Sequence, residues 1–305
     1  MTEWFLSNRR LLLRLLGTFI AIGLIFLLVR EGGWNEVLSA FKQITLTRIL
    51  LGLILILISR LFVATRWYIL MRSGNVKISF SDSTALTFTG LFANNFLPTT
   101  IGGDVVRLAG AMQLGYDRAV CLASLAADRI VGMIGVFFTL PLGLFPALHI
   151  LGHGVTHSFV FSTYFTRFTG FIKRTLQTFS IWFSHPLALL AALGCTWGHM
   201  LCNFIMVYVL VDGLGGHVGF WLVAGLWSLA YFVTLIPISI NGFGVQELSL
   251  TFLFSSVAGL STPVSLTIAV LYRAFYVAAS LIGAFYLPSI LSALALSREL
   301  AKSEK

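Results

Sequence analysis

Apolar runs of membrane depth recur along this 305-residue chain and leave little room for anything else. They read as Leu11 to Val29, Ile49 to Leu70, Ser83 to Leu97 with a broken continuation to Gln113, Ala119 to Ala147, Leu187 to Leu210, Gly219 to Ile236 with a broken continuation to Ala258, and Val264 to Leu291. A helix rising about 1.5 Å per residue needs about 20 apolar residues to cross about 30 Å of hydrocarbon. In that medium a helix also satisfies its own backbone hydrogen bonds. Charged residues are 10% of the chain, against roughly a quarter in soluble proteins. The expected fold class is an all-α polytopic membrane protein with about seven or eight transmembrane helices and two Pro/Gly-broken segments, either crossing or re-entrant, arranged as an internal repeat, in one membrane domain over residues 1–305. Arg9, Arg10 and Arg14 imitate the start of a signal peptide, but the run behind them is too long and lacks a small-residue cleavage site.

The net charge of +9 does not point to nucleic acid. Its basic residues gather at segment ends, as the positive-inside rule produces, and form no contiguous basic surface with interleaved aromatics. A cytoplasmic N-terminus is expected, with Arg72 and Lys77 on the same side. If each broken segment crosses once, the 150–185 connection with Arg167, Lys173 and Arg174 is inside, but Arg298, Lys302 and Lys305 end outside, against the rule. One broken segment must then cross differently. The Phe-rich 150–185 connection itself reads as a stretch lying in the interface plane.

The broken segments look like two copies of one unit. Pro98-Thr99-Thr100-Ile101-Gly102-Gly103-Asp104 is followed by Arg129, and Pro237-Ile238-Ser239-Ile240-Asn241-Gly242-Phe243-Gly244-Val245-Gln246-Glu247 by Arg273. The carboxylate precedes the Arg by 25 residues in the first copy and 26 in the second. Proline cannot continue the helix ladder, and glycine lets the backbone turn and approach a ligand. Pro98, Gly102, Gly103, Pro237, Gly242 and Gly244 are therefore the expected hinge residues. Paired broken elements in corresponding halves point to a transport site at a repeat interface; the halves here are about 49–149 and 186–291.

Charged residues inside the apolar runs cost about 2.5–3.5 kcal/mol each at mid-bilayer and are retained when they pair or face water. Arg60, Arg66, Asp104, Arg107, Asp128, Arg129, Glu247 and Arg273 lie there. Asp104 and Arg107 share a helical face, whereas the neighbours Asp128 and Arg129 must find different partners. Three acids balance Arg107, Arg129 and Arg273, which leaves Arg60 and Arg66 in surplus and a pocket suited to an anionic group. Arg66, near the end of its span, is expected to snorkel. Asn94, Asn95, Asn241 and Gln246 add neutral donors and acceptors beside the breaks. The alternative for Asp104 is an N-cap, and for Glu247 a first-turn acid complementing the helix dipole.

Other constellations carry less. Cys121, Cys195 and Cys202 form no CxxC and read as small buried hydrophobes. His149, His153 and His157 are spaced by four, but glycines interrupt that helix, so no metal site is expected. Without a Walker A motif or a dinucleotide fingerprint, no cofactor is expected either.

At the same residues, from Asn94-Asn95-Phe96-Leu97-Pro98 through Gly102-Gly103-Asp104-Val105-Val106-Arg107, Asp128-Arg129 and the Pro237 to Glu247 block, the chain resembles the lysylphosphatidylglycerol synthase transmembrane, or flippase-like, family. The resemblance implies a bacterial or archaeal inner-membrane protein of about eight helices. Family members translocate aminoacylated phospholipid between leaflets, and other relatives are linked to prenyl-phosphate sugar or envelope lipids. A soluble aminoacyl-transferase domain follows the membrane region in those relatives, whereas this sequence stops at Lys305, so synthase activity is not expected.

The function expected is a lipid translocator that takes a phospholipid or prenyl-phosphate-linked headgroup into a polar cavity between the two breaks. Arg60, Asn94, Asn95, Asp104, Arg107, Asp128, Arg129, Asn241, Gln246, Glu247 and Arg273 are the expected substrate contacts. A membrane lipid is the partner, with a lipid-synthesising enzyme as a further one. The alternative is an integral membrane glycosyl- or phosphotransferase working from Glu31 and Glu36, against which no Asp-x-Asp pair occurs. A scaffold without turnover leaves the buried charges unexplained.

Overall fold

A computed structural model describes residues 34–97, 102–151, 185–235 and 239–287, with Gly23 and Phe26. The rest of the first apolar run, residues 152–184 of the connection, Pro98, Pro237 and the C-terminal basic cluster lie outside the described residues. Among those described are ten α-helices, two 3-10 helices and no strand. The helices are α1 (Trp34–Gln43), α2 (Leu46–Ser73), α3 (Phe80–Ala93), α4 (Gly102–Gln113), α5 (Arg118–Thr139), α6 (Pro141–Leu151), α7 (Pro186–Gly213), α8 (Phe220–Thr234), α9 (Val245–Ser256) and α10 (Thr262–Ser280). The 3-10 turns are Ile240–Gly242 in the second break and Leu281–Phe285 after α10.

Four helices are long and apolar enough to cross a membrane: α2 and α7 with 28 residues each, α5 with 22, and α10 with its 3-10 extension, 24. The chain is an all-α polytopic membrane protein. Local chemistry sets the helix starts. Ser79 Oγ accepts the Asp82 N–H at the head of α3, and Asp117 Oδ1 accepts the Val120 N–H at the head of α5, each satisfying an otherwise orphan donor. α7 and α10 open on Pro186 and Pro263, where a missing N–H costs nothing. The expected run Ala119 to Ala147 is divided at Leu140, because Pro141 has no N–H with which to continue the ladder.

The two longest helices run antiparallel through the centre. Arg48 pairs with Asp212 at 2.7 Å at one end, Ser59 meets His199 at 2.6 Å midway, and Arg66 meets Thr196 at 3.1 Å toward the other end. The C-terminus of α2 and the C-terminus of α7 thus lie at opposite ends of the molecule.

Each broken segment is a hairpin that turns back on itself. In the first, Gly90 near the end of α3 abuts Gly103 at the start of α4, so closely that a Cβ on Gly90 would stand 2.6 Å from the Gly103 carbonyl oxygen. At its open end, Ile78 and Val76 before α3 and Tyr116 after α4 join one apolar cluster with Trp67, Met71 and Cys121. The second hairpin does likewise at the other end. Gly216 before α8 approaches both Val211 of α7 and Leu260 after α9. Of the two alternatives, crossing or re-entrant, the second holds for both broken segments: with arms of 14 and 12 residues in the first and 15 and 12 in the second, each returns to its own end. The seven or eight segments counted in sequence include these two and the first apolar run.

The hairpins enter from opposite ends and are clasped from outside in the same manner. α6, the continuation of α5, packs on α8 with Gly143 against the Gly225 backbone, and Thr139 at the end of α5 accepts from Ser228 Oγ at 3.0 Å. The 3-10 extension of α10 packs on α3, with Gly283 against the Phe88 backbone. Main-chain contact this close is possible only where no side chain intervenes. The largest apolar cluster joins α7, α8, α9 and α10 around Trp227, Phe254 and Tyr272. Smaller ones surround α2, α4 and α5.

Candidate functional site

Where the two hairpin tips approach each other, the bundle encloses a cavity of about 280 Å³. Both long antiparallel helices, α5, α10 and both hairpins line it. Asn95 ties the tips to the framework: its Nδ2 donates to Ser280 Oγ at 2.7 Å, and its Oδ1 accepts from Asn241 Nδ2 at 3.5 Å. The first tip is closed by Asn94, whose Oδ1 accepts the Gly103 N–H at 2.7 Å. In the second tip, Asn241, Gly242 and Gly244 adopt φ values of 48°, 70° and 77°. Glycine reaches that left-handed region without steric cost, and asparagine is among the few other residues that tolerate it.

Helices restarting after the tips place acids in their first turns. Asp104 on α4 accepts from Arg129 Nε at 2.6 Å and from Arg107 Nη1 at 3.3 Å. Glu247 on α9 accepts from Arg273 Nε through one oxygen and from the Gly244 N–H at 2.7 Å through the other. Both acids thus occupy the position that complements a helix dipole and also hold an arginine from the following long helix. The N-cap reading of Asp104 gives way to a first-turn acid, because Gly102 and Gly103 precede it inside α4. The first-turn reading of Glu247 stands beside its pairing with Arg273.

Between the hairpin and α2 lies a buried triad. Asp128 Oδ1 accepts from Arg66 Nε at 2.7 Å, and Oδ2 accepts from Arg107 Nη1 at 3.1 Å. Arg107 lies over the Trp67 ring at 4.2 Å, and Arg66 also donates to Thr196 at 3.1 Å. Gly132 leaves the space that the Arg66 guanidinium fills. Arg66 therefore does not snorkel. It is buried because Asp128, 62 residues away in sequence, offers a closer counter-charge than the headgroup region. Asp128 and Arg129, as their 100° separation requires, have different partners.

One cation remains. Arg60 is buried at the cavity wall with the Tyr276 ring at 5.2 Å, its Nε has no hydrogen-bond partner, and it makes no carboxylate pair among the described residues. Its single described donation, to Ser59 Oγ, is long at 3.4 Å. Arg273 faces the same Tyr276 ring at 5.8 Å and the Phe243 ring at 4.5 Å.

Of the expected contacts, Arg60, Asn94, Asp104, Arg107, Asp128, Arg129, Asn241, Gln246 and Arg273 line the cavity. Asn95 and Glu247 stand behind that lining and act on it through Asn241 and Arg273. Arg66, Thr87, Tyr231, Tyr276 and His199 line it as well. His199 belongs to a neutral network in which Asn203 Nδ2 donates to Ser59 Oγ at 2.9 Å and Tyr272 OH to Asn203 Oδ1 at 3.2 Å. The signal for these was weak: a His and an Asn one turn apart inside an apolar run. The three cysteines are free, two of them buried, and no group of metal-binding side chains occurs among the described residues.

An all-α membrane bundle with two opposed half-length hairpins around a charged central cavity defines the class. Residues 14–283 match the family described as Lysylphosphatidylglycerol synthase TM region, and the chain belongs to that family. It is 27% identical over 134 residues to UPF0104 membrane protein PH1989 of Pyrococcus horikoshii, an alignment covering 43% of this chain and 40% of that protein. The aligned stretch thus spans less than half of the curated relative.

Proposed function

We propose that this protein is a lipid translocator of the cell inner membrane. A phospholipid or prenyl-phosphate-linked headgroup enters the cavity between the hairpin tips while its tails stay in hydrocarbon. The observation that carries this reading is the convergence of both tips and five buried or half-buried arginines on one cavity of about 280 Å³. Ligand pockets run to roughly 300–1,000 Å³, so this volume suits a headgroup and not a whole lipid. Irregular backbone at membrane depth is tolerated where it lines such a space.

The site residues named above act as substrate contacts in this reading, with Asn95 and Glu247 positioning their neighbours. The chain is one membrane domain whose halves, about 49–149 and 186–291, form an inverted repeat. Each half has a long helix, a hairpin, a second long helix and a short clasping element, and the hairpins face opposite leaflets. Repeats of this kind rock about a central site in secondary transporters. In this reading the N-terminus is cytoplasmic, and Arg72, Lys77 and Arg118, at the open end of the first hairpin, are basic residues that positive-inside orientation keeps in the cytoplasm.

The test is reconstitution of purified protein into vesicles carrying acyl-labelled lipids, with quenching from outside. Labelled lipid should leave the outer leaflet's exclusive reach faster than in protein-free vesicles, and Arg129→Gln should abolish the gain. Quenching confined to the outer half at the protein-free rate contradicts the proposal.

A further inference from the structure

We propose that Arg60 is the phosphate-binding residue of this cavity and that the headgroup it selects is a phosphomonoester dianion, with no ammonium group. This rests on reading the cavity as a headgroup site and assigns its chemistry.

The argument begins with charge. Arg60, Arg66, Arg107, Arg129 and Arg273 surround the cavity, and Asp104, Asp128 and Glu247 answer them. Five guanidiniums against three carboxylates leave an excess of two positive charges. A buried charge is retained when something pairs with it, and four of the five arginines have carboxylate partners. Arg60 does not.

Geometry agrees. Arg60 is only 9% exposed, lines the cavity and keeps an unpartnered Nε. Arg107, 6% exposed, lines the same cavity and also keeps two buried, unpartnered donors, Nε and Nη2. The Arg60 guanidinium lies over the Tyr276 ring, 5.2 Å from its centroid, and a guanidinium held at its face can still offer its planar edge to a ligand. That edge matches phosphate oxygens in a bidentate fork.

A phosphomonoester carries about −1.5 to −2 charges at pH 7 and matches the excess. A phosphodiester bearing an ammonium is neutral and does not. An aminoacylated headgroup adds cations to a cavity that is already positive.

The experiment titrates detergent-purified, full-length protein with short-chain phosphatidic acid, phosphatidylethanolamine, lysyl-phosphatidylglycerol and inorganic phosphate. Binding is followed by thermal shift and by intrinsic tryptophan fluorescence, to which the cavity-lining Trp227 contributes. Phosphatidic acid should bind at least roughly tenfold more tightly than either amine-bearing lipid, the scale of one charge-assisted hydrogen bond. Arg60→Gln should erase that preference, and Arg60→Lys should restore part of it; the unliganded melting curves show whether each variant folds. Full competition by inorganic phosphate supports the same site chemistry with a soluble source, whereas weak competition supports a lipid one. Equal affinities for phosphatidic acid and phosphatidylethanolamine, or an unchanged preference in Arg60→Gln, overturn the assignment. Selective binding without lipid movement in vesicles sustains it and removes the transport reading. Lipid movement without selectivity does the reverse.

Discussion

Asp104 and Glu247 both sit in the first turn of a helix that restarts after a break, and each accepts from the Nε of an arginine on the next long helix. Their surroundings differ. The Glu247 and Arg273 side chains are 5% and 11% exposed, whereas Asp104 is 16% and Arg129 42% exposed. The residue preceding each arginine follows the same contrast. Asp128 reaches across to Arg66 on α2, and Tyr272 reaches across to Asn203 on α7. At this preceding position one plan is executed with a charge in the first half and with a neutral hydrogen bond in the second. A buried charge costs more to hold than a hydroxyl, so the first half has the greater electrostatic cost, and its open Arg129 is where charge exchange with a ligand disturbs the least packing.

The largest effect expected is from Asp128→Ala, which leaves Arg66 and Arg107 buried without a counter-charge and should cost about 3–5 kcal/mol in denaturant unfolding of the purified protein. Arg273→Gln comes next, at about 3 kcal/mol by the same logic, because it strands the buried Glu247. Gly90→Ala should cost about 1–3 kcal/mol, since its Cβ would meet the Gly103 carbonyl and the Arg107 Cγ at 2.8 Å. Tyr272→Phe, which removes the neutral counterpart of the Asp128 bridge, should cost about 1 kcal/mol. Comparable losses for Asp128→Ala and Tyr272→Phe would erase the distinction between the charged and the neutral version of this position. At the bottom stands Arg129→Gln, within about 1 kcal/mol of wild type because its pair is half exposed. Its effect falls on lipid movement, which separates it from Arg273→Gln.

That contrast also explains what could be read in the sequence. Pro, Gly and charged residues stand out against apolar runs, so the two breaks, the carboxylate-to-arginine spacing and the charged side chains lining the cavity were legible. Turning back stood only as one of two alternatives, because an apolar arm of 12 to 15 residues has the same composition whether the chain reverses or goes on. The only trace was the basic C-terminus, which a single crossing per break put on the wrong side. Arg66 was misjudged because position along a span says nothing of a partner 62 residues away. Ser59, His199 and Tyr276 escaped notice because neutral polar groups within apolar helices satisfy one another without any periodic signal.

Opposed entry of the two hairpins is the claim on which the cavity, the repeat and the transport reading all depend. Single cysteines at Asn75 and His217, exposed residues beside the open ends of the first and second hairpins, can be introduced into a protein otherwise free of cysteine. An impermeant thiol reagent is then applied to right-side-out and inverted membrane vesicles. Opposed entry calls for the two cysteines to react from opposite faces, and the proposed cytoplasmic N-terminus calls for Asn75→Cys to react in inverted vesicles and His217→Cys in right-side-out ones. Labelling of both from the same face would contradict it.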